Sequence, residues 1–234
     1  MSGVALRLLG GFSLAIDEQI VPLPRAEQRL LACLALADRP RPRSGLAGQL
    51  WPETSEAHAM GCLRTALWRL RQVNDGLAQG LGDQVGLGPS VMDDVHELTV
   101  LSHHFLEAPS EANELRLVEL ARAGELLPEW DEDWLAPERE RVRQLRLHAL
   151  ERFSERLAEA GSYGRAVEIG LALVADDPLR ESARRVLIRA HVGEGNLHEA
   201  LVQYRAYRDV MRDELDIGPS PQMEALADEL GIGV

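Results

Sequence analysis

The sequence predicts a mainly α-helical protein. An N-terminal winged helix-turn-helix with a small antiparallel sheet and a wing hairpin is followed by a C-terminal tetratricopeptide-like helical domain. Three features support this prediction: short β-prone runs before residue 24, three helical patterns that end in a turn-rich segment, and self-similarity at a spacing of 34 residues. We expect the winged helix over residues 1–100 and the helical domain over residues 101–234.

The predicted sheet consists of three short β-prone runs at residues 4–9, 12–16 and 19–23. Gly10-Gly11 and Asp17-Glu18 interrupt these runs, and both pairs are typical of turns. Runs of this length bounded by turn residues predict antiparallel strands.

Two helices are predicted after the sheet. Leu30, Leu31 and Leu34 recur at helical spacing and predict the first helix, which should end near Pro40. Ser44 is the expected N-cap of a short second helix, because serine accepts a hydrogen bond from the first turn of a helix.

A third helix is predicted after the short PETSEA connection, because Met60, Leu63, Leu67 and Leu70 form one apolar stripe. Turn residues that alternate with Val85, Leu87 and Val91 then predict a β-hairpin. A short sheet, three helices and a hairpin, in that order, are the layout of a winged helix.

The polar face of the third helix is the first candidate site. In helix-turn-helix proteins the last helix of the three enters the DNA major groove, and this face carries five candidate contacts. They are Arg64, Thr65, Trp68, Arg69 and Arg71. A solvated face is the alternative, but a large aromatic side chain such as Trp68 has no packing reason to lie there. We expect Arg69 at base edges and the flanking arginines at phosphates.

The segment RPRPRS between the first two helices is a second candidate. Its prolines favour an extended backbone, which would spread Arg39, Arg41 and Arg43 along the surface. Arg41 and Arg43 are therefore candidate contacts to the DNA backbone. A solvated loop without a role remains an alternative.

The second half of the chain repeats itself every 34 residues, which is the tetratricopeptide period. The matching pairs are Ala149 with Ala183, Gly161 with Gly195, Ala166 with Ala200, and Tyr163 with Leu197. Small residues at such positions allow paired helices to approach closely. Pro178 is expected at the first position of one of these helices.

The formal net charge of −13 argues by itself against a nucleic-acid partner. However, residues 1–100 are nearly balanced in charge, and most of the acidic excess lies in residues 101–234. We therefore expect the second domain to contact a protein surface. Arg139, Arg143 and Arg146 are spaced as one helical ridge that could face such a partner.

Enzyme chemistry has no support in the sequence. The phosphate-binding patterns GxxxxGK[ST] and GxGxxG are absent, and the acidic residues around Trp130 have no nucleophile or base nearby. We expect no catalytic activity, no cofactor and no metal. Without a signal peptide or a long apolar stretch, the expected location is the cytoplasm, away from any membrane.

The chain resembles the Streptomyces antibiotic regulatory protein family. Five stretches carry the resemblance: LRLLGGFSL, QRLLACLALADRPRPRSGLAGQLWPE, LRTALWRLRQV, LLPEWDEDWLAPERERVRQLRLHALERFSERL and IRAHVGEGNLHEALVQYRAYRDVMRDELDIGPSPQ. It covers nearly the whole chain. It implies an OmpR-type winged helix, the effector fold of two-component phosphorelays, joined to a bacterial transcriptional activator domain.

The resemblance also implies a function. Members of this family are pathway-specific activators, typically of secondary-metabolite (antibiotic) gene clusters. They bind direct repeats of double-stranded DNA as a side-by-side pair, so a homodimer on DNA is expected, and they recruit RNA polymerase through its sigma and alpha subunits. The recognition helix falls on residues 56–73 of this chain. Two features of this chain depart from the family pattern. The wing region, residues 72–100, contains no Arg or Lys, and the recognition helix starts with an acidic residue, Glu56.

Two other functions remain open at this stage. A tetratricopeptide scaffold with a degenerate winged helix could bind only proteins, and a regulator of this shape could sense a small molecule within its helices.

Overall fold

The computed structural model describes residues 3–104 and 110–231. Contacts within the chain divide it into a first unit, Met1–Leu145, and a second unit, Arg146–Val234. In chain order the first elements are β1 (Val4–Arg7), β2 (Ser13–Ile16), β3 (Gln19–Ile20), α1 (Arg25–Ala35), β4 (Arg41–Pro42), α2 (Arg43–Leu50), α3 (Glu56–Val73), β5 (Ala78–Leu81), β6 (Gln84–Leu87) and β7 (Val91–Asp93). They are followed by α4 (Asp94–His104), α5 (Glu111–Ala121), α6 (Leu135–Glu159), α7 (Tyr163–Asp176), α8 (Glu181–Gly193), α9 (Leu197–Leu215) and α10 (Pro221–Glu229).

The N-terminal sheet has the strand order β3-β2-β1-β7. β1 and β2 are antiparallel, with Leu6 opposite Leu14, and both side chains are buried. Two predictions about this region were wrong. The third strand ends at Ile20 rather than at residue 23, and Val91 leaves the hairpin to pair in parallel with Val4 of β1. The sheet is therefore mixed.

The three predicted helices are α1, α2 and α3, and their apolar faces form the core of the winged helix. Leu30 and Leu31 of α1 and Leu63 and Leu70 of α3 are all buried. α3 begins where the sequence predicted, because the Ser55 hydroxyl accepts a hydrogen bond from the His58 amide at 3.4 Å. The predicted mainly helical fold with its N-terminal winged helix is confirmed.

The N-cap predicted for α2 was wrong. This helix begins at Arg43 behind Pro42, one residue before Ser44. The cause is β4, in which Arg41 pairs with Val85 of β6 and thereby brings the extended RPRPR segment to the wing. The wing is a three-stranded sheet of order β4-β6-β5 rather than an isolated hairpin.

The chain after α5 returns to the end of β1 within the first unit. The Gly10 amide donates to the Glu125 carbonyl at 2.7 Å, and the Leu127 amide donates to the Leu8 carbonyl at 3.0 Å. Gly10 has a φ of 73°, and a Cβ there would lie 2.4 Å from the Ala123 carbonyl oxygen. Only glycine fits this close backbone approach.

Arg139 secures the same segment from α6. Its guanidinium donates to the carbonyl oxygens of Leu126, Leu127 and Trp130 at 3.0, 2.6 and 2.5 Å. The predicted surface ridge of three arginines on this helix was therefore wrong for Arg139, whose donors satisfy the carbonyls of a turn inside the first unit.

The second unit repeats its turns at the predicted spacing. Gly161 and Gly195 have φ values of 74° and 85°, and each ends a helix. The amides that follow them, those of Ser162 and Asn196, each donate back to a carbonyl five residues earlier at 2.8 Å. Tyr163 and Leu197 then begin α7 and α9.

Small buried residues bring the helices of this unit together. Ala166 and Ala200 are fully buried, and a Cβ on Gly170 of α7 would approach Leu187 of α8 to about 3.0 Å. The expectation for Pro178 was wrong: it lies in a turn, and α8 begins three residues later at Glu181.

Glu181 anchors the loop before α10. Its carboxylate accepts hydrogen bonds from the amide and hydroxyl of Ser220 and from the Tyr207 hydroxyl, and it pairs with Arg185. Burial alone would raise the pKa of Glu181, but the bonds from Ser220 and the charge of Arg185 hold it below its ordinary value.

Candidate DNA-binding surface

The five candidates on α3 are all exposed and share one face, which we call the α3 basic face: Arg64, Thr65, Trp68, Arg69 and Arg71. The opposite face supplies the buried residues Ala59, Leu63, Ala66 and Leu70. Trp68 is 61% exposed although it is the largest side chain on the helix. Because core packing holds the other side of α3, the basic face is presented on a rigid support.

Two side chains of this face interact weakly with their own helix region. The Thr65 hydroxyl donates to the Gly61 carbonyl at 3.0 Å, which leaves the oxygen able to accept from a ligand. The Nε atom of Arg71 lies 3.8 Å from Oδ1 of Asp75, and both side chains are exposed. Exposed pairs of this kind contribute little free energy, so an anionic ligand can compete for Arg71.

Arg69 has a stronger attachment. Its Nη1 atom donates to Oε1 of Glu27 at 3.3 Å, while its side chain is 53% exposed and that of Glu27 only 1%. Sequence reasoning missed Glu27. A signal was present, since Glu27 continues the apolar stripe of Leu30, Leu31 and Leu34 by one turn, where a charged residue calls for a partner.

A cleft of about 170 Å³ lies where α3 meets the wing. Arg43, Arg64 and Arg71 line it, together with Trp68 and Gly80. A Cβ on Gly80 would lie 3.4 Å from Nη2 of Arg43 and 3.9 Å from Nη2 of Arg71. The β5-β6 hairpin has no Arg or Lys of its own, but arginines from α2 and α3 border β5.

The structure separates the two candidates of the RPRPR segment. Arg43 joins the arginines of α3 in the cleft, whereas Arg41 donates to the Gln49 side chain at 2.9 Å and is half-buried. Arg41 lines a different cleft with Arg39 and Gln84. Arg43 is therefore the stronger candidate of the two.

The family of the chain follows from residues 102–230, which match the bacterial transcriptional activator domain. This match covers more than half of the chain. The chain belongs to the bacterial transcriptional activator domain family. With a winged helix in front of that domain, it has the organisation of the Streptomyces antibiotic regulatory proteins, as the resemblance implied.

Curated relatives agree with this assignment. Regulatory protein AfsR of Streptomyces coelicolor is 30% identical over 86% of this chain, and AfsR of Streptomyces griseus is 28% identical over the same share. The chain spans about a fifth of the length of these relatives (21% and 22%). A solved structure, Mycobacterium tuberculosis EmbR in complex with a low-affinity phosphopeptide, has the same fold with a TM-score of 0.81. It is 21% identical, and the match covers 98% of this chain and 65% of EmbR.

In the part of the chain that the structure describes, few other groups could act as a nucleophile or bind a metal ion. Burial raises the pKa of the Cys33 thiol to about 11, so this cysteine is a poor nucleophile. Among the described residues, no group of three or more His, Cys, Asp or Glu side chains is placed to hold a metal ion. Within the same residues, none of the helices has the length and apolar character that a membrane crossing needs.

Proposed function

We propose that this chain is a sequence-specific DNA-binding transcription activator. The observation that carries the proposal is the α3 basic face, where three arginines and an exposed tryptophan lie on the third helix of a winged helix-turn-helix. The B-DNA major groove admits an α-helix and displays a distinct pattern of donors and acceptors for each base pair. Arginine suits this setting because its planar fork binds both phosphates and guanine.

The arginines of the surface divide into two roles in this proposal. Arg69, beside Thr65 and Trp68, contacts base edges. Arg64, Arg71 and Arg43 surround the cleft at the wing and hold backbone phosphates, which position a protein on DNA without specifying sequence. Arg41, attached to Gln49, makes at most a peripheral backbone contact.

The rest of the chain serves activation. We assign the DNA-contacting surface to residues 1–100 and the activating surface to residues 101–234, whose acidic excess suits a protein partner better than DNA. RNA polymerase, contacted through its sigma and alpha subunits, is the proposed partner. The chain would bind direct repeats as a homodimer. Its second unit would consist of tetratricopeptide-like helices. The protein would act in the cytoplasm and would need no catalytic activity, cofactor or metal. A secondary-metabolite (antibiotic) gene cluster is the proposed target, as the family resemblance implies.

Salt-dependent binding tests the DNA contact. Affinity for a DNA duplex, measured by fluorescence anisotropy over a series of salt concentrations, should fall with a log–log slope of about −0.9 per phosphate contact. Arg64→Ala and Arg71→Ala should each make that slope shallower by about one unit. Arg212→Ala, which removes an exposed arginine of the second unit that pairs with Asp209, is the matched control and should leave it unchanged.

Two results would contradict the proposal. An affinity that does not depend on salt concentration would mean that phosphates are not contacted. An equal change of the salt slope in the Arg212→Ala control would mean that only the net charge of the protein matters. Without DNA binding, a scaffold that contacts only proteins would be the better account.

Activation needs a separate experiment. A chain that ends at Leu145 keeps the first unit, so it should retain sequence-specific binding. It should nevertheless fail to raise transcription with purified polymerase. Full activation by this shortened chain would contradict the division of roles and would make the second unit a sensor or an inhibitory cover.

A further inference from the structure

Glu27 is a buried carboxylate in a position that packing alone does not explain. It lies on the apolar side of α1 in line with Leu30 and Leu31, and its side chain is 1% exposed. A carboxylate removed from water to this degree is costly unless it is paired and fully hydrogen-bonded. Its Oε2 atom has no hydrogen-bond partner within the described residues. An apolar side chain of similar size would satisfy this position better if only stability mattered.

The cation that faces Glu27 is Arg69. The neighbouring arginines of α1, Arg25 and Arg29, lie about 200° away around the helix and pair with Glu132 at 3.4 and 2.7 Å. Arg25 also covers the ring of Trp130 at 3.8 Å. Arg25 and Arg29 are therefore paired elsewhere. The fully buried Leu30 and Leu31 hold α1 in place, so Glu27 offers Arg69 a fixed anchor.

The exposed half of Arg69 belongs to the α3 basic face. A cavity of about 530 Å³ opens beside it, and Glu27, Arg64, Thr65 and Arg69 are among the residues that line it. One of the five guanidinium donors is used by Glu27. Among the described residues the other donors have no partner, so they are available to a ligand, and the bond at Nη1 restricts the directions in which they point.

We propose that Glu27 is a positioning residue that holds the Arg69 guanidinium in one orientation and thereby determines specificity at a single base pair, most naturally a guanine. The proposal rests on the proposed DNA-binding function. Arginine recognises guanine through two parallel hydrogen bonds to O6 and N7, which demand a fixed plane for the fork. An arginine without its anchor can turn to a phosphate instead and lose this preference.

The size of the effect follows from side-chain ordering. Binding normally carries an entropic cost for immobilising a long side chain. If an anchor orders the side chain before binding, that cost is avoided, which corresponds to about 2- to 12-fold in affinity. That advantage applies to the base pair that Arg69 contacts. We therefore expect a loss of about 2- to 12-fold in discrimination at one position of the site and no loss elsewhere.

The experiment uses the full chain and all single-base-pair variants of a site selected from random DNA. Arg69→Lys keeps the charge beside Glu27 but lacks the fork, so it identifies the base pair that Arg69 contacts. Glu27→Gln and Glu27→Met should lose discrimination at that same base pair, and neither should add to the loss in Arg69→Lys. Glu132→Gln, which alters the far side of α1, is the matched control and should keep the wild-type profile.

Glu27→Met separates positioning from folding. A methionine fits an apolar site, so the melting temperature of the Glu27→Met variant should equal or exceed that of the wild type. Discrimination at the base pair should still be lost. An unchanged profile in Glu27→Met or Glu27→Gln would overturn the proposal, as would a uniform loss at all positions that follows a lower melting temperature. If the wild type itself shows no sequence preference, the proposed function fails first, and the role of Glu27 fails with it.

Discussion

Trp130 and Trp68 provide a paired test of which surface supports the fold and which meets DNA. Trp130 is 6% exposed and stacks on Phe12 with ring centroids 5.9 Å apart, under the guanidinium of Arg25. Trp68 is 61% exposed on the α3 basic face. Replacement by alanine removes the same group in both cases, but from opposite environments.

The expected magnitudes differ strongly. A buried aromatic side chain removes about 200 Å² from water, which at about 25 cal/mol/Å² corresponds to roughly 5 kcal/mol as an upper bound. Measured costs of replacing buried Phe or Trp by Ala are about 3–5 kcal/mol. At about 2–4 °C per kcal/mol for a chain of this size, Trp130→Ala should lower the melting temperature of the first unit by roughly 6–20 °C. Trp68→Ala should change stability by less than about 0.5 kcal/mol.

Calorimetry and DNA-binding titrations, run on both variants below their melting temperatures, check the prediction. Trp68→Ala should weaken DNA binding at wild-type stability, and folded Trp130→Ala should bind with nearly wild-type affinity. The reasoning would be refuted if Trp130→Ala melted like the wild type, or if Trp68→Ala left DNA affinity unchanged.

Three further predictions concern buried charge and the extent of the first unit. Arg69→Ala leaves Glu27 without its cation and should cost about 1–3 kcal/mol of unfolding free energy, which Glu27→Met in the same chain should restore; additive losses in denaturant unfolding would contradict the pairing. Because the folded state lowers the pKa of Glu181, its ionised carboxylate stabilises the fold above the ordinary pKa of 4.5, and this stability is lost as the pH falls below that value. The melting temperature of Glu181→Gln should therefore lie below that of the wild type at neutral pH, and the gap should narrow as the pH is lowered below 4.5. A gap that persists in acid would contradict this. A fragment of residues 1–110 should melt well below one of residues 1–145, because it lacks the segment that covers the end of β1, and equal melting would refute that role.

The outline of the fold was predictable because it depends on local patterns. Leucines at helical spacing predicted α1 and α3, and Ser55 lies where the predicted third helix begins. The 34-residue matches predicted the repeated turns at Gly161 and Gly195, because a left-handed residue at a helix end is a local requirement.

Long-range contacts account for what the sequence did not predict. The parallel pairing of Val91 with Val4 joins strands almost ninety residues apart, and no local pattern specifies it. The same holds for Arg139, whose exposure was predicted from helical spacing although its donors bind a distant turn. At the candidate site, residue types predicted the α3 basic face, but its anchor Glu27 and the approach of Arg43 to the wing depend on tertiary packing.

The most direct test of the account is sequencing of genomic DNA fragments that the purified full chain retains, compared with those retained by a variant that combines Arg64→Ala, Trp68→Ala and Arg69→Ala. We predict that the wild type enriches one motif, present as direct repeats about one helical turn apart, and that the variant enriches none. Equal enrichment by both proteins, or no motif in the wild-type fraction, would contradict the claim that the α3 basic face recognises a DNA sequence.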